Sequence, residues 1–168
     1  MVELCPKIKI IENIAMAADC DIETFRSEFN YKARSYDIFL VVYPKSDTTW
    51  MQIILYTLMN DGEVFDNNMA EYFARTSFLE LVGEKGMNNI HRSCLIKSHL
   101  PFNHVPYHEN AKYICVVRNP KDVYVSSYYF LLKLMGIQPE QTLFDNFFEA
   151  FINENVYFGD YFEHLHSV

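Results

Sequence analysis

Three short segments of the chain carry residue types that suit the binding and transfer of a charged group. They are Tyr43–Trp50 (YPKSDTTW), Lys97–Pro101 (KSHLP) and Arg118–Ser126 (RNPKDVYVS). Each lies at the end of a short apolar run of the kind that forms a buried strand. Because ligand sites of open α/β sheets lie at the carboxyl ends of strands, we expect the three segments to meet at one edge of a sheet.

The Tyr43–Trp50 segment predicts an anion site at the beginning of a helix, where the first N–H groups lack internal partners and carry partial positive charge. Thr48 and Thr49 add hydroxyl donors, and Lys45 adds a cation that can reach a phosphate or a leaving oxygen. The segment lacks the G-x-x-x-x-G-K-[ST] pattern of a Walker A loop, which disfavours a nucleotide kinase. Taken alone, such a segment is more often an ordinary strand–helix turn with a Ser/Thr cap.

His99 and Arg118 are candidate chemical residues at the ends of the second and third predicted strands. Histidine is the usual general base near neutral pH, although a lone histidine is more often a hydrogen-bonded structural residue. Arg118 presents a planar fork that matches a phosphate, and Ser126 on the following helix can donate to the same group. His104 and His108 have a proline between them, so they do not form a zinc pair on one helix face.

The elements that position these residues alternate between strand and helix patterns. The predicted strands are Asp37–Val42, Cys94–Lys97 and Tyr113–Val117. The predicted helices are Thr48–Asn60, Glu71–Glu84, Lys121–Met135 and Thr142–Asn153. Such alternation predicts an α/β fold, a three-layer sandwich in which helices cover a central parallel sheet. Residues 1–30 are interpreted as an N-terminal arm and residues 31–168 as the domain.

Composition and charge limit the classes of function. The chain has 168 residues, which suits one domain, and half of them are hydrophobic, which argues against disorder. A formal net charge of −8 disfavours a nucleic-acid partner, which requires a broad basic surface. No apolar run predicts a membrane span, and Met1–Ile14 is not typical of a signal peptide. The four cysteines form no C-x-x-C pair, so we expect neither a disulfide framework nor a zinc site. We therefore expect a reducing, cytoplasmic setting.

Together and in this order, the three motifs resemble those of the cytosolic sulfotransferases. The hallmarks of that family are a Y-P-K-S-G-T-T-W loop, a K-[ST]-H-L-P strand end and an R-N-x-K-D-V-x-V-S segment. Weaker similarity runs from about Phe25 to Val168 and includes Phe78–Leu81 and Phe144–His164. The resemblance implies a P-loop-like sulfotransferase fold that transfers a sulfuryl group from 3′-phosphoadenylyl sulfate (PAPS) to a hydroxyl or amine of a small molecule, with no metal required.

The resemblance also implies roles for single residues. His99 would take the proton from the acceptor, Lys45 would stabilise the bridging oxygen as it leaves, and Lys97 would lie beside the transferring group. The residues implied in donor binding are Lys45, Ser46, Asp47, Thr48, Thr49, Trp50, Arg118 and Ser126. Within this set, Ser46, Thr48 and Thr49 would bind the 5′-phosphate side of the donor. Trp50 would pack on the adenine, and Arg118 and Ser126 would hold the 3′-phosphate.

An apolar acceptor pocket is implied as well. Its lining residues would be Phe78, Leu81, Phe102 and Phe130. Packing in the hydrophobic core is an equally supported interpretation for each of the four, because aromatic residues dominate cores.

The chain departs from the family pattern in two respects. Asp47 stands where the family loop has glycine, and its carboxylate is expected to repel a phosphate unless it points away. The later strand, the R-K-G-x-x-G loop and the C-terminal dimer motif of the family do not occur by Val168. We therefore expect a C-terminally truncated domain with weak donor binding and doubtful dimerisation. A catalytically silent relative with weak or no nucleotide binding is the alternative to an active sulfotransferase.

Overall fold

The fold alternates strands and helices, as seen in a computed structural model that describes residues 6–63, 72, 75–90 and 95–168. The strands are β1 (Ile8–Ile11), β2 (Ile14–Ala17), β3 (Ile38–Val42), β4 (Thr76–Phe78), β5 (Leu95–Ser98) and β6 (Lys112–Val116). The helices are α1 (Ile22–Ser27), α2 (Thr48–Met59), α3 (Leu79–Asn88), α4 (Pro120–Met135), α5 (Gln141–Ile152) and α6 (Tyr161–His166).

The central sheet has the strand order β4–β5–β3–β6, and all of its neighbouring strands are parallel. Leu40 of β3 lies opposite Lys97 of β5 on one side and Ile114 of β6 on the other. β1 and β2 pair with each other as a separate antiparallel hairpin. Because the four strands of the central sheet run in one direction, their carboxyl ends meet at a single edge. The predicted parallel sheet is confirmed.

The three layers follow from the apolar character of β3, which is buried on both faces. Phe39 and Val41 pack on one face, in a core that also contains Phe25 of α1 and Leu79 of α3. Leu40 and Val42 lie in the core of the opposite face, against which Met51 and Leu55 of α2 pack. Side chains alternate across a strand, so this one short run holds helices on both sides of the sheet. The predicted three-layer α/β sandwich is confirmed.

The helix predicted over Glu71–Glu84 is wrong in its middle. Residues 76–78 form β4, which pairs in parallel with β5, and the helix that follows begins at Leu79 and continues to Asn88. Residues 71, 73 and 74 of the prediction lie outside the described residues. Thr76 is β-branched and Phe78 is aromatic, so both suit a strand. The hydrogen bonds offered by the neighbouring strand decide the conformation, and these are not visible in a local pattern.

The remaining predicted elements are present with small changes at their ends. β3, β6, α2 and α4 each lie within one residue of the expected bounds at either end. α4 ends where predicted, because Gly136 adopts a left-handed conformation with φ 67 and caps the helix. The predicted start of the second strand, Cys94, lies outside the described residues, and β5 is described from Leu95.

Residues 6–30 pack against the sheet and its flanking elements. Ile11, Ile14 and Phe25 are buried in the same core as β3. The hairpin also contacts the last part of the chain, since the amide of Phe158 donates to the carbonyl of Ala15 at 2.6 Å. The division into an arm and a domain stays a prediction. Within the described ranges, no helix has the length and apolar character needed to cross a membrane.

Candidate functional site

A cavity of about 590 Å³ lies at the carboxyl edge of the central sheet. The residues around it that the sequence analysis singled out are Lys45, Asp47, Thr48, Thr49, Trp50, Phe78, Lys97, His99, Arg118, Ser126 and Phe130. They come from the loop after β3, the first turn of α2, the ends of β4, β5 and β6, and α4. The structure therefore brings residues of all three sequence motifs to one place.

The loop between β3 and α2 forms one wall of this cavity. Lys45 and Asp47 both have left-handed backbone conformations, with φ 66 and φ 60. The helix begins immediately afterwards, where the amide of Met51 donates to the carbonyl of Asp47 at 3.0 Å. Thr48 and Thr49 are the first residues of α2, so their amides have no acceptor within the helix. The wall is therefore a source of backbone and hydroxyl donors.

Ser46 lies beneath this wall and does not line the cavity. It is fully buried, and among the described residues its hydroxyl has no hydrogen-bond partner. A buried hydroxyl normally has a partner, because leaving it unpaired costs free energy. The Ser46 side chain lies away from the cavity, and the donor-binding role implied for it stays a prediction.

Arg118 holds the loop from the opposite side. Its Nη1 donates to the carbonyl of Lys45 at 3.0 Å and to Oδ1 of Asp47 at 3.2 Å. The hydroxyl of Tyr161 on α6 donates to the carbonyl of Arg118. Lys45 and Arg118 therefore face the same cavity, as the sequence analysis expected, but the guanidinium is already paired with the Asp47 carboxylate.

The two lysines of the cavity each lie over an aromatic ring. Nζ of Lys45 is 4.5 Å from the ring centroid of Phe130, and Nζ of Lys97 is 3.6 Å from that of Phe78. Burial lowers the pKa of Lys45, and the nearby Arg118 charge lowers it further. Burial also lowers the pKa of Lys97. Both groups are partly desolvated cations, which interact more strongly with an anion than cations in water do.

His99 is buried between two aromatic rings with one nitrogen committed to the backbone. Its Nδ1 lies 2.5 Å from the carbonyl oxygen of Val42, and a carbonyl can only accept, so the proton is on Nδ1. The rings of Phe78 and Phe158 contact the imidazole edge-on, with centroids 5.0 and 5.1 Å away. Burial, followed by the Lys97 charge, lowers the pKa of His99 to about 3. The imidazole is therefore neutral at neutral pH, and its unprotonated Nε2 is available as an acceptor.

Trp50 and Ser126 line the cavity from α2 and α4. The Trp50 side chain is 66% exposed, so one face of the indole is open to solvent. α4 begins at Pro120 after Asn119, whose side chain accepts from the Lys121 amide at 2.9 Å and caps the helix. This cap sets the start of the helix and thereby places Ser126 at the cavity.

Two residues of the expected acceptor pocket lie elsewhere. Leu81 is 65% exposed on α3 and does not line the cavity. Phe102 also lies outside it, and its ring packs edge-on against Tyr113 at a centroid distance of 5.3 Å. Phe78 and Phe130 do line the cavity, where the Phe78 ring lies under the Lys97 ammonium and the Phe130 ring under that of Lys45.

The sequence analysis missed two aromatic residues that close the cavity, Tyr157 and Phe158. They lie in the turn between α5 and α6, and Phe158 packs on the imidazole of His99. The hydroxyl of Tyr43 donates to the carbonyl of Gly159 at 2.8 Å and ties this turn to the end of β3. Gly159 and the N-terminal cap of α6 mark a turn here but not a ligand site, so the aromatic composition was the signal that could have pointed to it.

The arrangement combines three cations, helix-terminal donors and a neutral imidazole. Such a site can bind a polyanion and accept a proton from a neighbouring hydroxyl or amine. In the part of the chain that the structure describes, no cluster of three or more His, Cys, Asp or Glu side chains could hold a metal ion.

Comparison with known proteins identifies related sequences. Residues 35–168 match the protein family described as "Sulfotransferase domain". The chain is 36% identical over 155 residues to sulfotransferase 1E1 of Bos taurus, which covers 87% of this chain and 52% of that protein. It is 35% identical over 147 residues to sulfotransferase 1 family member D1 of Mus musculus, a match that covers 82% of this chain and 50% of that protein. The chain spans about half the length of these curated relatives.

Solved structures share the fold. The mouse sulfotransferase SULT7A1 complexed with PAP matches with a TM-score of 0.70 at 24% identity, over 96% of this chain and 56% of that chain. A retinol dehydratase in a complex with retinol and PAP matches with a TM-score of 0.68 at 21% identity, over 84% of this chain and 52% of that chain.

Proposed function

Because the chain belongs to the sulfotransferase family, we propose that it transfers a sulfuryl group from PAPS to a hydroxyl or amine of a small molecule. The observation that carries the proposal is the convergence of Lys45, Lys97, Arg118 and the neutral His99 on one cavity. A sulfuryl donor is a polyanion, and its transfer depends on positioning and on neutralisation of charge.

The donor is proposed to bind with its 5′-phosphosulfate at the beginning of α2. There the hydroxyls of Thr48 and Thr49 and the free amides of the first turn supply donors. Arg118 and Ser126 would hold the 3′-phosphate, and Trp50 would pack against the adenine. Both solved structures described above contain PAP, the desulfated form of the donor, which supports a nucleotide of this kind as the ligand.

The chemical step follows from the protonation states in the cavity. The acceptor oxygen or nitrogen attacks the sulfur, the bond from sulfur to the bridging phosphate oxygen breaks, and the acceptor proton moves to Nε2 of His99. Lys45 would stabilise the negative charge on the departing oxygen, and Lys97 would stabilise the sulfuryl group in transit. A bound polyanion offsets the Lys97 charge that lowers the pKa of His99, so donor binding makes the imidazole a better base.

The acceptor class is inferred from the walls of the cavity. Phe78, Phe130, Tyr157 and Phe158 all line it. Aromatic walls favour a flat, largely apolar molecule with one hydroxyl or amine directed at His99. A cytoplasmic setting is also part of the proposal, consistent with the free thiols of Cys20 and Cys115.

A catalytically silent relative is the second candidate, and one observation favours it. Asp47 pairs with Arg118 at 3.2 Å, so the cation proposed for the 3′-phosphate already has an anionic partner. A protein of this kind would bind nucleotide weakly and transfer nothing. Binding and turnover must therefore be measured separately.

The His99→Ala variant tests the proposal. Calorimetry with the desulfated nucleotide measures donor binding, and sulfur-labelled PAPS with a panel of phenols, alcohols and amines measures transfer. We expect a loss of turnover of about 10²–10⁴-fold with donor affinity little changed, because only the proton acceptor is removed. His166→Ala removes an exposed histidine and is the matched control, with turnover unchanged.

Turnover in His99→Ala equal to that of the wild-type chain would refute His99 as the base. Nucleotide binding without turnover in the wild-type chain would instead support the silent relative.

A further inference from the structure

Glu80 is a buried carboxylate that the sequence motifs did not indicate. It lies in the first turn of α3, directly after β4, and is 1% exposed. One oxygen, Oε1, accepts from the hydroxyl of Ser98 at 2.8 Å, the amide of His99 at 2.5 Å and the amide of Leu100 at 3.1 Å. A single atom therefore ties α3 to the end of β5.

These hydrogen bonds account for the position of Glu80. An ionised carboxylate away from water is costly unless donors surround it, and hydrogen bonds to a charged group are about twice as strong as neutral ones. The Ser98 hydroxyl also accepts from the Leu100 amide at 3.1 Å, so the donors form a small network. Removing Glu80 would leave the hydroxyl and two amides without their common acceptor.

The network holds His99 from its backbone side. Glu80 binds the amide nitrogen of His99, and the carbonyl of Val42 on the neighbouring strand binds Nδ1 of the ring. With both the backbone and one ring nitrogen held, the ring has little freedom to turn. Nε2 is consequently the nitrogen available to the cavity.

Glu80 also influences the charge of the cavity. Burial lowers the pKa of Lys97, and the Glu80 carboxylate opposes that change. A second buried carboxyl, Glu28, lies close enough that burial and the Glu80 charge raise its pKa. Burial raises the pKa of Glu80 to about 6, against the opposing effect of its hydrogen-bond donors and Lys97, whereas the pKa of Glu28 rises to about 10. Among the described residues, both oxygens of Glu28 have no hydrogen-bond partner. The proton of the pair therefore resides on Glu28, and the charge on Glu80.

We propose that Glu80 is the positioning residue of this site: it holds the Ser98–Leu100 segment so that the His99 ring presents Nε2 to the cavity. The inference rests on the proposed function for its kinetic consequence. Its structural part, the tautomer of His99, does not require turnover.

The experiment compares Glu80→Ala, Glu80→Gln and Glu28→Gln in the full 168-residue chain. Nitrogen-15 NMR of the histidine rings measures the tautomer of His99, and carbon-13 NMR of the lysine ε-carbons measures the pKa of Lys97. Thermal unfolding monitors folding, and kcat and the Kd of the desulfated nucleotide are measured separately. Glu28→Gln is the matched control, since it alters a buried carboxyl that does not contact His99.

We expect Glu80→Ala to give a mixture of His99 tautomers and a fall in kcat of about 10²-fold, the cost of a misplaced group. The Kd should stay within a factor of about three, because the proposed donor groups lie mainly on the β3–α2 loop and α4. Glu80→Gln keeps an accepting oxygen and should retain the tautomer, but should lower the pKa of Lys97 because the charge is lost. Glu28→Gln should match the wild type in tautomer, Lys97 pKa and kcat.

Wild-type tautomer and kcat in a folded Glu80→Ala variant would overturn the proposal. Should that variant not fold, loss of the wild-type His99 tautomer in a folded Glu80→Gln variant, which keeps the accepting oxygen, would overturn it instead. Absence of turnover in the wild-type chain would count against the proposed function, while the NMR measurement of the His99 tautomer would still decide the role of Glu80.

Discussion

Replacing Asp47 by glycine should tighten binding of the desulfated donor nucleotide. In the structure, the Asp47 carboxylate lies 3.2 Å from Nη1 of Arg118, at the beginning of α2. A phosphate that binds to Arg118 must displace this carboxylate or accept it as a neighbour of like charge. Asp47 also has φ 60, which glycine adopts without steric cost.

The size of the effect follows from exposure and charge. The Arg118 and Asp47 side chains are 32% and 48% exposed, and an ion pair this exposed stabilises the nucleotide-free protein by about 0.2–1 kcal/mol. That stabilisation is lost when a nucleotide phosphate replaces Asp47 as the partner of Arg118. Repulsion between two unit charges about 5 Å apart, at an effective dielectric of about 40, adds about 1.7 kcal/mol before salt screening. With screening, we expect a net gain of about 1–2 kcal/mol, or about 5- to 30-fold in Kd.

Calorimetry with the desulfated nucleotide measures this gain, and Asp47→Asn separates its two causes. Asparagine removes the charge but keeps a side chain that tolerates left-handed backbone conformations. If charge is the cause, both variants gain affinity, and the gain shrinks at 1 M salt, where the screening length is about 3 Å. A gain in the glycine variant alone would assign the effect to backbone freedom.

Equal or weaker nucleotide affinity in both Asp47 variants would refute the electrostatic reasoning. It would mean that the carboxylate turns to solvent when the nucleotide binds and that its charge is immaterial. The same result would remove the observation that favours a catalytically silent protein.

Two further predictions concern stability. Gly83→Ala should lower the free energy of unfolding by about 2–4 kcal/mol, because a Cβ at φ 59 would lie 2.2 Å from the Ser27 hydroxyl oxygen. Gly136 has φ 67 and open space around it, so Gly136→Ala should lower the free energy of unfolding by only about 1 kcal/mol in the same denaturant titration. Equal losses in the two variants would contradict the close approach of α1 to Gly83. Glu28→Gln should stabilise the protein increasingly from pH 4 to pH 8, because burial raises the folded-state pKa above 4.5 while the unfolded chain ionises normally. A gain independent of pH would show that Glu28 is ionised in the folded protein.

The sequence alone predicted the layered α/β architecture and the meeting of the three motifs at one edge of the sheet. The apolar run before Tyr43, the helix start at Thr48 and the stop at Gly136 are local signals, and each is found in the structure. Parallel strands bring their carboxyl ends to one edge, so motifs far apart in the chain could be expected to meet. The individual roles of Lys45 and Arg118 stay predictions until binding and turnover are measured.

Tertiary structure decided what local patterns cannot encode. Residues 76–78 form a strand because β5 supplies hydrogen-bond partners for them. Phe158 contacts His99 because hydrogen bonds to Tyr43 and Ala15 hold the turn that contains it. The role of Glu80 likewise depends on Oε1 meeting donors of another strand. Each outcome depends on contacts between residues distant in sequence, and their free energy is gained only when the chain has folded.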